Sequence, residues 1–429
     1  MKYHSISNEL FIHNRKNFKD RLESKSLAVF NSNDIFSISA DSTKPFKQHS
    51  DIFWLSGVDQ EESILVVFPD CHDPKHREIL FLKETNEHIA IWEGEKLNKE
   101  AAFKTSGIRT VYWLNQFESI FNQLMSEAEN VYINTNEHWR ANTEMQSRED
   151  RWIDWCKSKY IAHNYLRSNP IMHQLRSVKH PIEIELMQKA CDITEKGVRR
   201  ILPFIKPGVM EYEIEAELMH EFLINRSTGF AYTPILGSGR NACVLHYIEN
   251  NQACKDGDVI LMDFGAEYAN YSSDLTRSVP VNGRYTKRQK DVYNAVLRVK
   301  NAAIEILRPG VTLKDYHVAV GHLMEKELVD LNLITLDDIK NQNPDWPVYK
   351  KYFMHGTSHY IGLDTHDYGP WNAPIPEGSV FTVEPGIYIL EENLGIRLED
   401  DYLITKDGHK NLMQNIPIEV EEIEELMNA

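Results

Sequence analysis

Two stretches of this chain, more than a hundred residues apart, repeat one pattern, and the repeat narrows the folds open to it. The first is Asp256-Gly-Asp-Val-Ile-Leu-Met-Asp263-Phe-Gly265; the second is Glu377-Gly-Ser-Val-Phe-Thr-Val-Glu384-Pro-Gly386. Each opens on an acidic-Gly turn, climbs through a β-branched and apolar run, and sets a carboxylate just before a second glycine. Asp274 follows the first on another strand-like segment, and Glu399 follows the second. The apolar runs read as buried strands, and an unpaired charge at the end of such a strand is expensive to bury. A metal ion removes that penalty. Four carboxylates repeated in this way, with His355-Gly-Thr-Ser-His359 between the copies, predict a two-metal hydrolytic centre.

The helical segments repeat too. Pro181 suits the first position of a helix, and Ile182, Leu186, Met187, Ala190, Ile193, Val198, Ile201 and Leu202 follow near helical spacing. Lys206-Pro-Gly-Val209 breaks that helix, and Tyr212 to Leu223 forms another. The phrase returns as Ala302 to Leu307, Arg308-Pro-Gly-Val311 and a helix from Leu313 to Leu328. The same markers in the same order predict two copies of helix, Pro-Gly-Val, helix and β-hairpin, related by a pseudo-twofold within residues 166–429. Residues 1–165 read as a smaller mixed α/β domain. A helix near Arg15 to Leu22 precedes short β-rich runs at 26–30, 63–68, 78–82 and 131–133. The helical stretch after the polar segment Glu144 to Arg151 is expected to be the hinge, and the acidic tail Glu419 to Glu425 a solvated helical face. A length of 429 residues itself favours two domains.

Composition closes other readings. A net charge of −17 opposes binding to nucleic-acid phosphate. No run approaches the roughly 18 apolar residues that span a bilayer, and the start Met1-Lys-Tyr-His-Ser lacks the pattern of a signal peptide. Five scattered cysteines without a Cys-x-x-Cys pair suit a reducing cytosol and argue against a thiolate zinc site. One imidazole with four carboxylates is a hard, oxygen-rich set that suits Mn²⁺ or a similar divalent ion. The residues alone do not choose among Mn²⁺, Co²⁺, Zn²⁺ and Fe²⁺. His355, His359 and His366 lie within a dozen residues of Gly-rich sequence, which favours a site; His246 is evenly balanced between a functional and a structural reading. Arg397 and Glu399, two apart, share a strand face. They form either a surface ion pair of little worth or an arginine that orients a ligand carboxylate.

Ser39-Ala-Asp41, Gln48-His-Ser-Asp51, Ile91-Trp92-Glu-Gly94, Leu236-Gly-Ser-Gly239, Leu245-His246-Tyr247, Ser273-Asp274-Leu-Thr276, Leu363-Asp-Thr-His366-Asp367, Thr382-Val-Glu384-Pro-Gly386 and Arg397-Leu-Glu399-Asp400 carry a resemblance. With the metal-site motifs above, they resemble the Xaa-Pro aminopeptidases (aminopeptidase P) of the pita-bread metallopeptidase family M24, over nearly the whole chain. The resemblance implies an α/β (α+β) architecture. The C-terminal domain would be a pita-bread fold with internal pseudo-twofold duplication, and the N-terminal domain of creatinase/aminopeptidase P type. It implies two divalent ions, Mn²⁺ foremost, bridged by Asp274 and Glu399, with Asp263 completing one site and His359 and Glu384 the other. A bridging hydroxide would attack the Xaa-Pro amide of a proline-containing peptide while Glu384 shuttles its proton. His246 and His366 would contact substrate and steady the tetrahedral intermediate. His355 would lie on the proline side, with Arg397 and Tyr388 positioning substrate or ligands. Asp41 and Trp92 would help close a neighbouring subunit's pocket in a homo-oligomer, a dimer or tetramer. The expectation is a cytoplasmic enzyme with no nucleic-acid or membrane partner.

Within the superfamily, methionine aminopeptidases generally lack the N-terminal domain, and creatinase needs no metal. Prolidase keeps the same ligands but cleaves only dipeptides. The segment His246-Tyr-Ile-Glu249-Asn250, with Asp41 and Trp92, resembles the aminopeptidase P version and favours that reading. A non-catalytic binding protein on this fold would leave the buried carboxylates unexplained.

Overall fold

The computed structural model describes residues 2–138 and 143–429. They form two compact units divided between Arg176 and Ser177, with the first residues through Tyr3 joining the C-terminal unit. The sequence placed that division at residue 165.

The N-terminal unit is built on six strands: β1 (Ser26–Asn31), β2 (Ile64–Val67), β3 (Glu78–Leu82), β4 (Thr110–Trp113), β5 (Asn130–Ile133) and β6 (Asn164–Arg167). Their order is β4-β3-β2-β1-β5-β6. β1 and β2, and β2 and β3, pair antiparallel, and the outer pairs run parallel. Among the described residues, seven α-helices accompany the sheet: α1 (Asn8–Lys19), α2 (Ser50–Ser56), α3 (Glu87–Glu93), α4 (Lys99–Ser106), α5 (Phe117–Met125), α6 (Arg148–Lys159) and α7 (Asn169–Ser177). Alternation of side chains along each strand decides which helix covers which face. Leu27, Val29, Val66, Phe81 and Val131 pack with Phe117, Phe121, Trp152, Ile153 and Cys156 of α5 and α6. Phe30, on the opposite face of β1, meets Phe18 of α1 edge to face. The stretch expected to hinge the domains is therefore α6, a core helix of this unit. The apolar spacing Trp152, Ile153, Cys156 commits it to the sheet. β6 then extends the same sheet, which carries the N-terminal unit past the expected boundary.

The C-terminal unit shows the duplication. The first copy runs α8 (Pro181–Ile201), α9 (Glu211–Ile224), two short strands β7 (Gly229–Phe230) and β8 (Ile235–Ser238), then β9 (Val259–Phe264), β10 (Ala266–Tyr268), β11 (Tyr271–Ser272) and β12 (Leu275–Pro280). The second runs α10 (Lys287–Ile306), α11 (Leu313–Asp330), a short α12 (Leu336–Lys340), then β13 (Val380–Val383), β14 (Gly386–Ile389), β15 (Leu394–Arg397) and β16 (Asp400–Thr405). β17 (Gly408–Asn411) and α13 (Val420–Met427) close the chain. Both helix pairs are joined through Pro-Gly-Val, and both glycines take the left-handed backbone that breaks a helix: Gly208 has φ 92° and Gly310 φ 89°.

Each hairpin is bent in the same place. β9 pairs with β12 and β10 with β11, just as β13 pairs with β16 and β14 with β15. Between the pairs, a Cβ on Gly265 would lie 1.7 Å from the Ser273 carbonyl oxygen, so only glycine lets the backbone fold that tightly. Ala269 and Asn270, at φ 54° and 67°, close the first hairpin as two consecutive left-handed residues, the signature of a type I′ turn. The bends are where Asp263, Asp274, Glu384 and Glu399 sit.

The two copies are stitched by buried charge. Arg277 of β12 donates to Asp400 Oδ1 at 2.6 Å and to the carbonyl oxygen of Glu399 at 2.8 Å. Lys300 of α10 meets the other Asp400 oxygen at 2.5 Å. Arg277, Asp400 and Lys300 are all buried, and the two cations hold the Asp400 carboxyl below its usual range against the opposing effect of burial. The acidic tail also departs from expectation. Val420 and Ile423 of α13 are buried, and Glu424 accepts from the Tyr285 amide at 2.9 Å and pairs with Lys290. Asp400→Ala leaves two buried cations without their shared partner and should destabilise the C-terminal unit by about 3–5 kcal/mol. Chemical denaturation would show this as a lowered midpoint with an unchanged slope.

Candidate metal centre

The bends of the two hairpins deliver their carboxylates to one place. Asp274, His359 and Glu399 each offer a ligand atom within 4.8 Å of the others, and all three are buried. Among the described residues no other group of three or more His, Cys, Asp or Glu side chains gathers this way. His359 Nε2 lies 3.5 Å from Asp274 Oδ2 and 3.8 Å from Glu384 Oε1. Its Nδ1 donates to the Tyr360 carbonyl at 3.0 Å, which fixes the ring so that Nε2 is the atom facing the carboxylates. Asp263 is joined to Asp274 through the Tyr232 hydroxyl, which lies 2.5 Å from an oxygen of each. One hydroxyl proton serves one of them at a time. The second oxygen faces it without a donor, and that deficit is what a cation removes.

Neighbouring elements hold each group. Arg397, at the end of β15, donates to Asp263 Oδ2 at 2.5 Å, to the Tyr388 hydroxyl at 2.8 Å and to the Thr276 hydroxyl at 3.1 Å. Thr276 in turn donates to Glu399 Oε2 at 2.7 Å. Arg397 and Glu399 thus both meet the Thr276 hydroxyl, and the buried ion pair that Arg397 makes is with Asp263. Behind the first hairpin, Thr194 of α8 accepts from the Ala266 amide and lies 2.8 Å from the Ser273 hydroxyl, fixing the bend beside Asp274. Asp274's own amide donates to Asp401 Oδ2 at 3.1 Å.

Crowding like charges out of water moves their proton affinities. Burial, reinforced by Asp274, Glu384 and Asp263, raises Glu399 well above the carboxylate range. Burial raises Asp263 too, although Arg397 opposes it. Burial lifts Glu384 to about 7, against the pull of His359 and Arg397. For His359, burial works downward, but the hydrogen bond and charge of Asp274 with the charge of Glu384 win and bring it to about 9. His355 goes the other way: burial, then Arg397 and the nearby rings of His317 and His246, push it down to about 3. A hard, anionic, buried donor set with one guanidinium beside it fits a divalent cation bound through oxygen and one imidazole nitrogen.

The structure brings together Asp263, Asp274, His359, Glu384, Glu399, Arg397, Tyr388, His355 and His366. His355 Nε2 meets the Tyr388 hydroxyl at 2.8 Å, and its Nδ1 lies 3.5 Å from Glu384. His366, exposed, stacks on His359 with ring centroids 4.0 Å apart. His246 sits on an exposed turn close enough to His355 to depress it. Asp41 and Trp92 belong to the N-terminal unit, where both are exposed. Tyr232 and Thr276 were given no role by the sequence. Tyr232 lies in the irregular Ala231-Tyr-Thr-Pro234, whose contacts with Asp263 and Asp274 are too distant in the chain for spacing to show. Thr276 sits inside the motif Ser273-Asp274-Leu-Thr276, two residues from a bridging candidate, and that spacing was the available clue.

Residues 185–406 match metallopeptidase family M24, and residues 11–132 match the N-terminal domain of aminopeptidase P. Fold and site therefore define a two-domain hydrolase of the metallopeptidase class. The chain is 32% identical over 439 residues to the Xaa-Pro aminopeptidase of Escherichia coli (strain K12), covering 99% of this chain and 98% of the relative. It is 31% identical over 409 residues to human Xaa-Pro aminopeptidase 3, covering 92% and 79%. A zinc-substituted E. coli aminopeptidase P solved in complex with product superposes with a TM-score of 0.88 at 31% identity, covering 99% of both chains. The Pseudomonas aeruginosa aminopeptidase PepP does so at 0.89 and 29%, covering 99% of this chain and 98% of that one. The chain belongs to the Xaa-Pro aminopeptidases of family M24.

The proton affinities give the metal-free protein a pH dependence of known sign. Glu384 holds its proton to about 7 when folded against 4.5 when unfolded, so the native state binds more protons across that window and loses stability as pH rises. His359, at about 9 against 6.5, contributes stability below 6.5 that is lost as pH rises through 9. His355, at about 3 against 6.5, opposes Glu384 up to about 6.5, so the thermal midpoint of the metal-stripped protein should fall chiefly between about pH 6.5 and about pH 9. Glu384→Gln should flatten the lower half of that curve. A midpoint that climbs across the range would contradict the assigned burial.

Proposed function

We propose that this chain removes the N-terminal residue from peptides with proline in the second position, using two divalent ions. The observation that carries the reading is the buried group of Asp274, His359 and Glu399, assembled from both hairpin copies. Asp274 and Glu399 would be shared by the two ions, with Asp263 on one side and His359 and Glu384 on the other. When bound, the ions supply an activated water and polarise the scissile carbonyl.

The protein's side chains do the rest. Glu384, lifted to about 7, can take and return a proton near neutral pH. Its side chain is 18% exposed, against 7% for His359. His366 and His246, both exposed, would contact the substrate and steady charge on the carbonyl oxygen as it develops. His355, kept neutral by burial, offers a hydrogen bond without adding a positive charge. Arg397 and Tyr388 hold Asp263 and His355 in place.

We read the ions as Mn²⁺ from the oxygen-rich donors, and the compartment as the cytoplasm, which suits five free cysteines. The homo-oligomer, dimer or tetramer, follows the resemblance, with the exposed Asp41 and Trp92 as the residues that would meet a neighbouring subunit's site. Prolidase is not favoured, because the relatives above are aminopeptidases by name.

Metal-stripped protein resupplied with Mn²⁺ should release alanine from Ala-Pro-Ala; cleavage confined to the dipeptide Ala-Pro would make it a prolidase instead. Asp274→Ala should lose both ions, because the side chain serves each of them. Metal analysis that still finds two ions in that variant would remove Asp274 from the shared position.

A further inference from the structure

Helix α11 reaches the ligand loop through two consecutive side chains. His317 Nδ1 lies 3.1 Å from the Thr357 hydroxyl, and the Ser358 hydroxyl donates to the Tyr316 hydroxyl at 3.1 Å. Thr357 and Ser358 lead directly into His359. The Thr357 carbonyl also accepts the Glu384 amide at 2.9 Å, and the Thr382 amide donates to the His359 carbonyl at 3.1 Å. One buried threonine therefore touches the helix with its side chain and the Glu384 backbone with its carbonyl. Tyr316 is fully buried, and His317 packs its ring on Phe353 at 6.2 Å. The loop itself belongs to no helix or strand, and Gly356 leaves its backbone unconstrained by a side chain.

We infer that His317 is a positioning residue for the metal site: by fixing the Thr357 hydroxyl it sets the shared placement of His359 and Glu384. Burial pushes the His317 ring below its ordinary value, so it works as a neutral hydrogen-bonding group. A neutral imidazole can accept from Thr357 or donate to it, and an asparagine amide can do the same from the equivalent atom. Such supporting partners of metal ligands typically change metal affinity or activity by about 10–100-fold when removed.

The inference rests on the metallopeptidase reading, so the test separates the two. Metal-stripped full-length wild type, His317→Ala and His317→Asn are titrated with Mn²⁺ by calorimetry, and each is assayed on Ala-Pro-Ala with its thermal midpoint recorded. If wild type binds Mn²⁺, the metal titration tests the placement even should the peptide prove to be the wrong one. His317→Ala is expected to weaken one class of bound ion about tenfold or more and lower kcat by a similar factor, with little change in KM. His317→Asn is expected to recover most of both. Unaltered Mn²⁺ affinity in His317→Ala overturns the inference. So does an asparagine variant no better than alanine, which would make the histidine a packing residue.

Discussion

Four carboxylates cannot share a buried pocket unless something holds them there against their mutual repulsion, and the C-terminal unit is organised around that problem. Burial raises Asp263, Glu384 and Glu399 together, so the protein alone would sooner keep protons than charges at these positions. The answer in the chain is stiffness. Each acid sits at a hairpin bend, where the strand pairing on both sides leaves the backbone no room to retreat. Gly265 permits the bend, Thr194 braces it from α8, and Arg397 ties Asp263, Tyr388 and Thr276 into one cluster. A divalent ion bound there would find these side chains already in position, which spares binding the entropy of gathering them.

The same economy of placement runs between the copies. Arg277 and Lys300 share Asp400 immediately after Glu399, and Arg277 also accepts the task of satisfying the Glu399 carbonyl. A buried ion pair is weak evidence for stability in itself. Here its position matters more than its energy: it pins the segment bearing Glu399 to the strand bearing Thr276. Thr276 pairs with Glu399 across an isolated bridge as well.

Much of this was legible in the sequence because duplication writes its signal twice. Asp263 and Glu384 could be recognised by their matching runs, and Pro-Gly-Val by its recurrence before α9 and α11. What the pattern concealed were contacts made across long stretches of chain. Tyr232 belongs to no periodic segment, yet its hydroxyl links two aspartates more than thirty residues on. His317 looks like an ordinary polar residue on a helix until α11 is laid beside the Thr357 loop. The α6 stretch misled for a different reason. Its polar lead-in reads as a linker, while the apolar residues that anchor it come a turn later, at Trp152, Ile153 and Cys156.

The near-twofold arrangement of the hairpins has one more consequence. A perfectly symmetric site would accept a peptide equally well in either direction, because its two halves could not tell head from tail. A peptide has a direction, and an enzyme that trims one end must read it. The duplicated unit breaks its symmetry in the strands, where only the second copy carries Tyr388 and Arg397, and again in the connections: the segment between α9 and β9 carries His246, while the matching segment between α11 and β13 carries His355, His359 and His366. Polarity would then come from side chains that only one copy carries, on a scaffold that is itself nearly without it.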